Sequence, residues 1–305
     1  MPRPSPNATG ALMALAAFGI FATHDALIKS LAASYAPVQL VFCIALFSFP
    51  LILVMLALDR AHGTLLPVNP RLMVFRGLSV ALSALAAYYA FSVLPLAQVY
   101  AILFSSPLMI TVLAIPLLGE KVGLRRMLAV GVGLCGVLVV LRPGSTPLSL
   151  GHLAALTAAT CGALNAIIAR RIGRQERPAV MLMYAMGGNF VLMGMAMPFV
   201  YRPMPGPDVA VMIVVAVMAF VAMQLVILAY RNGEAVVVAP MQYSQILWAV
   251  LYGALFFDEF PDAVTLTGTA LVIANGLYIV IRESRPATSR TRPVLGPGNG
   301  KPPAL

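Results

Sequence analysis

Charge is what this chain has least of: acidic and basic residues together make up 10% of its 305 positions, against about 25% in an average soluble domain. So few charges cannot solvate a globular surface of that size, which excludes an ordinary water-soluble enzyme or binding module. Cysteine and histidine are equally sparse, at three each. Cys43, Cys135 and Cys161 lie inside apolar runs without metal-type spacing, which excludes a disulfide framework and a zinc site and leaves them as small packing residues. His24, His62 and His152 sit on separate segments, and no HExxH, GxSxG or phosphate-cradling loop occurs. No cofactor, metal or catalytic residue is therefore expected, and the chain is not read as an enzyme. The formal charge of +10 is dispersed singly between apolar runs and not gathered into a patch, so no nucleic-acid partner is expected.

What is present is apolar length. Hydrophobic residues make up 61% of the chain, in runs long enough to cross a bilayer core of about 30 Å. The runs between charges and Pro/Gly breaks predict ten transmembrane helices, near 9–28, 37–58, 72–93, 96–118, 124–141, 151–169, 179–200, 208–230, 236–257 and 263–281. The first carries His24, Asp25 and Lys29 at its end and is followed by many more spans, so it reads as a retained helix and not as a signal peptide. Residues 283–305, rich in Arg, Pro, Ser and Gly, predict a disordered tail.

Basic residues test this map, because cytoplasmic loops carry an excess of them. With the N-terminus inside, sixteen of the twenty Lys and Arg fall on the cytoplasmic side; Lys29, Arg142 and Arg202 fall outside, and Arg76 lies within a span. An even number of spans with both termini cytoplasmic follows.

The chain also repeats itself. Residues 90–140 align without a gap on 229–279 at an offset of 139, matching Val99 with Val238, Ser105 with Ser244 and Glu120 with Glu259. A second match, at an offset of 141, sets Gly10 on Gly151, Lys29 on Arg170 and His24 on Asn165. Each half holds five spans, an odd number, so the halves must cross the membrane in opposite senses. The fold class is thus an all-α integral membrane protein of two inverted five-helix repeats: an N-terminal tail (1–8), a first repeat (9–141), a linker (142–150), a second repeat (151–282) and the tail. Inverted repeats are a recurrent plan of secondary transporters, with the solute site near the midplane where the repeats meet. An intramembrane enzyme without a recognisable motif, or a channel or packing scaffold, is the alternative.

The segments HDALIK (24–29), FRGL (75–78), 90–144 and 229–262 resemble the drug/metabolite transporter superfamily, specifically its ten-span EamA-type members with two tandem EamA repeats. Ser105-Ser106-Pro107 and Gly119-Glu120 match the family pattern; Ile246 and Asp258 replace the Pro and Gly in the second repeat. The resemblance implies a multi-pass carrier of the bacterial inner membrane, with a central cavity lined by both repeats and a small organic metabolite as its solute (amino-acid-like, nucleoside-like or vitamin-like). His24-Asp25 before Lys29 is similar to the pattern of members that take up S-adenosylmethionine or riboflavin. The partners expected are that solute and the lipid bilayer; pairing of two copies as a homodimer is left open.

Ionisable groups within spans cost roughly 2.5–3.5 kcal/mol at a helix centre, so each is a functional candidate. Asp25 leads them, with an i,i+4 pair to Lys29 as the structural alternative. His24 is next to it, and imidazole is the side chain that changes charge near neutral pH, as proton coupling requires. His24 and Asp25 are therefore candidates both for solute binding and for coupling. Arg76 reads as a snorkelling side chain or an anion contact. Glu120 and Glu259 end their helices at opposite membrane faces and read as structural or gating groups. Placed polar groups on an apolar wall define a small-molecule cavity, and Tyr88, Tyr100, Ser105, Asn165, Gln224, Tyr243 and Trp248 are the lining candidates, each with helix bridging as its alternative.

Overall fold

Proline begins four of the described helices, where its missing N–H removes a donor that the first turn leaves unbonded in any case. A computed structural model describes residues 6–58, 64–119, 123–142, 148–172 and 175–283. The helices are α1 (Pro6–Ala32), α2 (Pro37–Leu58), α3 (Pro70–Val93), α4 (Leu96–Leu103), α5 (Ser106–Leu118), α6 (Leu124–Leu141), α7 (Leu150–Ile172), α8 (Pro178–Val200), α9 (Gly206–Asn232), α10 (Ala235–Val238), α11 (Ser244–Phe256) and α12 (Ala263–Glu283). A 3-10 turn, Ala239–Tyr243, joins α10 to α11. Seven stretches among the described residues are long and apolar enough to span a membrane, and α6 and α12 carry shorter apolar stretches, Met127–Leu141 and Ala263–Tyr278. The interrupted α10–α11 rod completes ten spans. Large side chains such as Phe199, Leu247 and Phe256 face outward in the open, as they do where hydrocarbon is the solvent.

The ten expected spans are therefore present, but two of them are not the continuous helices expected. The fourth breaks at Phe104-Ser105, and the ninth breaks across the 3-10 turn. Pro107 and Pro240 lie at these points, and neither can donate the backbone hydrogen bond that would carry the helix through. The prolines are not at matching repeat positions, yet the breaks are: Phe104 and Ser105 correspond to Tyr243 and Ser244 at the offset of 139. Gly119 and Asp258 correspond in the same way, and both take the left-handed conformation, at φ 69° and 54°. The replacement of Gly by Asp thus preserves the turn, since Asp is among the few side chains that tolerate it. α1 already begins at Pro6, inside the expected N-terminal tail, and α12 continues through Glu283; the rest of that tail, most of the tail after α12, much of the linker and Glu120 lie outside the described residues.

Packing follows the inverted symmetry. α1 lies along α9 and α7 lies along α3, so each half's first helix packs on the other half's third. The corresponding helices α6 and α12 pack on each other, as do α2 and α8. Gly136 brings α6 against the Gly268 carbonyl of α12, and its counterpart Asn275 donates from Nδ2 to the Ala129 carbonyl at 2.5 Å. At one end of this pair Arg142 of the first half donates to the Asp262 carboxylate of the second.

Two predictions follow from these contacts. A Cβ on Gly10 would sit 2.7 Å from the Gly233 Cα and 2.9 Å from the Ala229 carbonyl oxygen, backbone that cannot step aside, whereas a Cβ on Gly131 meets nothing within 4 Å. Gly10→Ala should cost about 1–3 kcal/mol in detergent unfolding and Gly131→Ala next to nothing; equal melting temperatures would refute the α1–α9 contact. The second concerns Asp262, which lies outside the spans, where the Arg142 guanidinium and the Thr265 amide hold its carboxyl well below the usual carboxylate range. A depressed carboxyl stabilises the fold above its unfolded value, near 3.9, and loses that contribution only as pH falls through the folded value. The melting-temperature gap between the parent and Arg142→Gln should hold from pH 8 to pH 5 and close in stronger acid. A gap that closes between pH 7 and pH 5 would contradict this.

Candidate functional site

α1 carries Asp25 into the protein interior, and the carboxylate there is bonded on both sides. Asp25 Oδ2 accepts the Tyr100 hydroxyl at 2.5 Å, and Oδ1 lies 2.7 Å from His24 Nδ1. With Asp25 ionised, Nδ1 carries the imidazole proton, which leaves Nε2 as the ring's remaining polar atom. That atom is buried and has no partner among the described residues. A carboxylate is costly to hold away from water unless its lone pairs are engaged, and here a hydroxyl and an imidazole engage it in place of a Lys or Arg. Lys29, one turn on, turns away: its Nζ meets Glu259 Oε1 at 2.6 Å and the Leu94 carbonyl at 2.6 Å. The alternative of an Asp25–Lys29 pair is thereby overturned, since Asp25 is held by Tyr100 of α4 and Lys29 by Glu259 beyond the end of α11 and by the carbonyl that caps α3.

Aromatic rings enclose the carboxylate. Tyr88 of α3 faces the His24 ring at a centroid distance of 6.2 Å. Tyr100 packs between Phe91 at 5.7 Å and Phe104 at 5.8 Å, and Gln245 of α11 reaches its hydroxyl. Phe104 meets Tyr243 edge to face at 5.1 Å. These two are the corresponding residues of the two broken helices, and corresponding residues can touch only where the pseudo-two-fold axis passes. Ser105, fully buried at the break, has an Oγ without a partner among the described residues. The Tyr243 hydroxyl occupies the space that any side chain at 276 would need, so Gly276 is required there.

His24, Asp25, Tyr88, Tyr100 and Tyr243 are thus brought to one neighbourhood, with Ser105 beside Phe104. Trp248 borders it: the indole lies along Gly19 of α1 and stacks on Tyr252 at 5.9 Å, and Tyr252 shares a 2.7 Å hydrogen bond with Thr23. Gln224 turns to Met55 on α2, with Nε2 3.7 Å from Sδ, and bridges helices there. Asn165 on α7 leaves its Oδ1 unpartnered among the described residues and joins none of these contacts. Arg76, half-buried, donates to the Met181 carbonyl at 2.7 Å and ties α3 to α8. Sequence reasoning missed Phe91 and Phe104. The signal for Phe104 was available, since the repeat register sets it opposite Tyr243.

The cluster offers one negative group, a second titratable group bonded to it, three buried hydrogen-bonding positions without a partner among the described residues (His24 Nε2, Ser105 Oγ and the Tyr243 hydroxyl) and aromatic walls. Such a set can exchange hydrogen bonds with a polar, ring-bearing solute, and it can hold or pass a proton between His24 and Asp25. No group of His, Cys, Asp and Glu able to hold a metal ion occurs among the described residues.

The model of the EamA-like transporter family matches the chain twice, over residues 8–142 and 149–282. The chain is 27% identical over 248 residues to a riboflavin transporter of Rhizobium johnstonii, covering 79% of this chain and 78% of that one. It is 25% identical over 248 residues to an S-adenosylmethionine uptake transporter of Rickettsia felis, covering 80% and 84%. A solved crystal structure superimposes with a TM-score of 0.62 over 92% of this chain and 99% of the other at 16% identity, a likeness of fold alone. With two family matches that together span nearly every described residue, this multi-pass membrane protein belongs to the EamA-like transporter family.

Proposed function

We propose that the protein is a secondary transporter that carries a small organic metabolite by alternating access, with the His24–Asp25–Tyr100 cluster as the centre of its solute site. The observation that carries this is the placement of a buried carboxylate beside two helix breaks that meet at the pseudo-two-fold axis. Inverted-repeat carriers place their solute at such discontinuities, where broken helices leave polar groups free of regular helical bonding. The two repeats, residues 9–141 and 151–282, are the units that rock about the axis. In the proposed orientation both termini face the cytoplasm and the membrane is the bacterial inner membrane, as the distribution of basic residues indicates.

The aromatic walls and the single carboxylate favour a solute that presents a ring and a hydrogen-bond donor or positive centre. Vitamin-like and nucleoside-like metabolites fit that description, and the names of the relatives, riboflavin transporter and S-adenosylmethionine uptake transporter, fall in the same range. Within the cluster His24 and Asp25 serve as the coupling pair, and Tyr100 sets the geometry of the carboxylate.

Thermal stabilisation of the purified protein across a panel of vitamins, nucleosides and amino acids tests this, because a solute that binds only the folded state at one hundred times its Kd adds about 2.7 kcal/mol. At least one ring-bearing solute should stabilise, and Asp25→Asn and Tyr100→Phe should each weaken it ten-fold or more, the scale of one hydrogen bond to a charged group, about 1.5–3 kcal/mol. Unchanged affinity in both variants would remove the cluster from the site. In proteoliposomes loaded with the solute so identified, His24→Ala and Asp25→Asn should abolish any dependence of uptake on a pH gradient; dependence retained in both would exclude them from coupling.

A further inference from the structure

We infer that Lys29 and Glu259 form the latch that closes the solute pathway on the membrane face opposite the chain termini, an inference that rests on the protein being a transporter. The pair joins the two repeats: Lys29 is near the end of α1 and Glu259 follows α11. It is also three-quarters or more shielded, with the Lys29 side chain 10% exposed and that of Glu259 21%. Each partner has a second contact at the α3–α4 turn. Lys29 Nζ donates to the carbonyl of Leu94, which caps α3, and Glu259 Oε2 accepts the N–H of Leu96, the first residue of α4, at 3.1 Å. Both are backbone groups that helix ends leave without intrahelical partners. One cation and one anion from different elements therefore clamp a single turn. Phe257 adds its ring face 5.3 Å from the ammonium.

The chain takes a strained path to deliver Glu259 to this place. Asp258 adopts φ 54°, and the Glu259 amide donates back to the Gly253 carbonyl at 2.9 Å. Any Cβ at 253 would press on the Glu259 carbonyl oxygen at 3.2 Å, so Gly253 lets the chain fold back over the end of α11. Glu259 also borders a cavity of about 410 Å³, together with Pro95, Gln98, Arg142 and Asp262. On the interior side Ala26 packs in the same cluster as Leu94 and Leu96, and Asp25 precedes it. The ion pair thus lies one helical turn from the solute cluster, with one of its partners on the wall of a cavity.

Energetics favour a latch over a permanent staple. A shielded ion pair contributes little net stability, because desolvation offsets the attraction, while removal of one partner strands the other charge. Parting the two repeats on this face lets water reach both groups together, so the closed pair and the open hydrated ions are close in free energy. The repeat register sets Arg170 and Glu120 at the corresponding positions of the opposite face; Glu120 itself lies outside the described residues.

The test uses the full chain in proteoliposomes, with Cys43, Cys135 and Cys161 replaced by Ala, and reads the rate of modification by a membrane-impermeant maleimide. Ala26→Cys reports from beneath the latch and Ala14→Cys, buried in the other half of α1, reports from the terminal face. In Lys29→Gln and Glu259→Gln, reagent on the face opposite the termini should modify the cysteine at 26 at least ten-fold faster than in the parent, and the double variant should be no faster than either single one. Reagent on the terminal face should modify the cysteine at 14 no faster than in the parent. The swap of Lys29→Glu with Glu259→Lys should be slower at 26 than either single variant. Parental rates at 26 in both single variants overturn the latch, and so does acceleration at both reporters, which would show general loosening. Since no solute is involved, this outcome is independent of the metabolite panel: absence of any bound or accumulated solute would refute the transporter reading, whatever the labelling shows.

Discussion

Every backbone N–H and carbonyl that enters hydrocarbon must find a partner inside the protein, and most of this structure follows from that requirement. Continuous helices meet it without help. A broken helix does not, and is tolerated only where surrounding protein supplies cover or substitute bonds. Here the two breaks lie in the interior, at Phe104-Ser105 and across Ala239–Tyr243, and they come together edge to face at the axis that relates the halves. The region where helical bonding lapses is also one where the described residues hold an ionisable side chain in the interior. These features belong together, since each needs the other elements packed around it to be admissible in lipid.

The symmetry explains why such an arrangement is stable. Each half contributes its first helix to the third helix of the other, so neither half has a complete packing surface alone. Where corresponding residues meet or exchange places, the two halves need not be identical, only complementary. Gly136 lets α6 approach the Gly268 carbonyl, while its counterpart Asn275 reaches the Ala129 carbonyl with a side chain instead. Asp258 does the conformational work of Gly119 and also places Glu259. Divergence between the repeats has therefore changed side chains while keeping backbone geometry.

Ten spans, their approximate ends and the inverted repeat were legible in the sequence because each rests on a property summed over many residues: hydropathy over about twenty, basic charge over whole loops, self-similarity over fifty. The breaks were not, because hydropathy averages across them and Pro107 and Pro240 sit at different repeat positions. Nor was the pairing of the charges legible. Asp25 and Lys29 are four apart on a helix, the spacing at which neighbours meet, and only tertiary structure shows that Tyr100 and Glu259 win them. Candidate lining residues were chosen by polarity alone, so Gln224, which serves a helix contact with Met55, was indistinguishable from Tyr100. Phe91 and Phe104 were passed over for the converse reason: in an apolar chain an apolar wall leaves no mark.

The four-residue spacing of Asp25 and Lys29 on α1 has a mechanical consequence. Four residues of helix place Asp25 and Lys29 about 6 Å apart along one rigid rod. Asp25 is engaged by α4 of its own repeat, and Lys29 by the end of α11 of the other and by the α3–α4 turn. Thr23, two residues before Asp25, is hydrogen-bonded to Tyr252 of α11. Any solute that displaces the Tyr100 hydroxyl from Asp25 alters the hold of α4 on α1 within one turn of the place where the latch grips it. The bonds of α1 to the two repeats thus alternate along its final turns, repeat two at Thr23, repeat one at Asp25, and both at Lys29. A helix held in that way cannot follow one repeat without loosening from the other, and in the proposed mechanism that gives occupancy of the site a physical route to the pathway's closure without any longer chain of contacts.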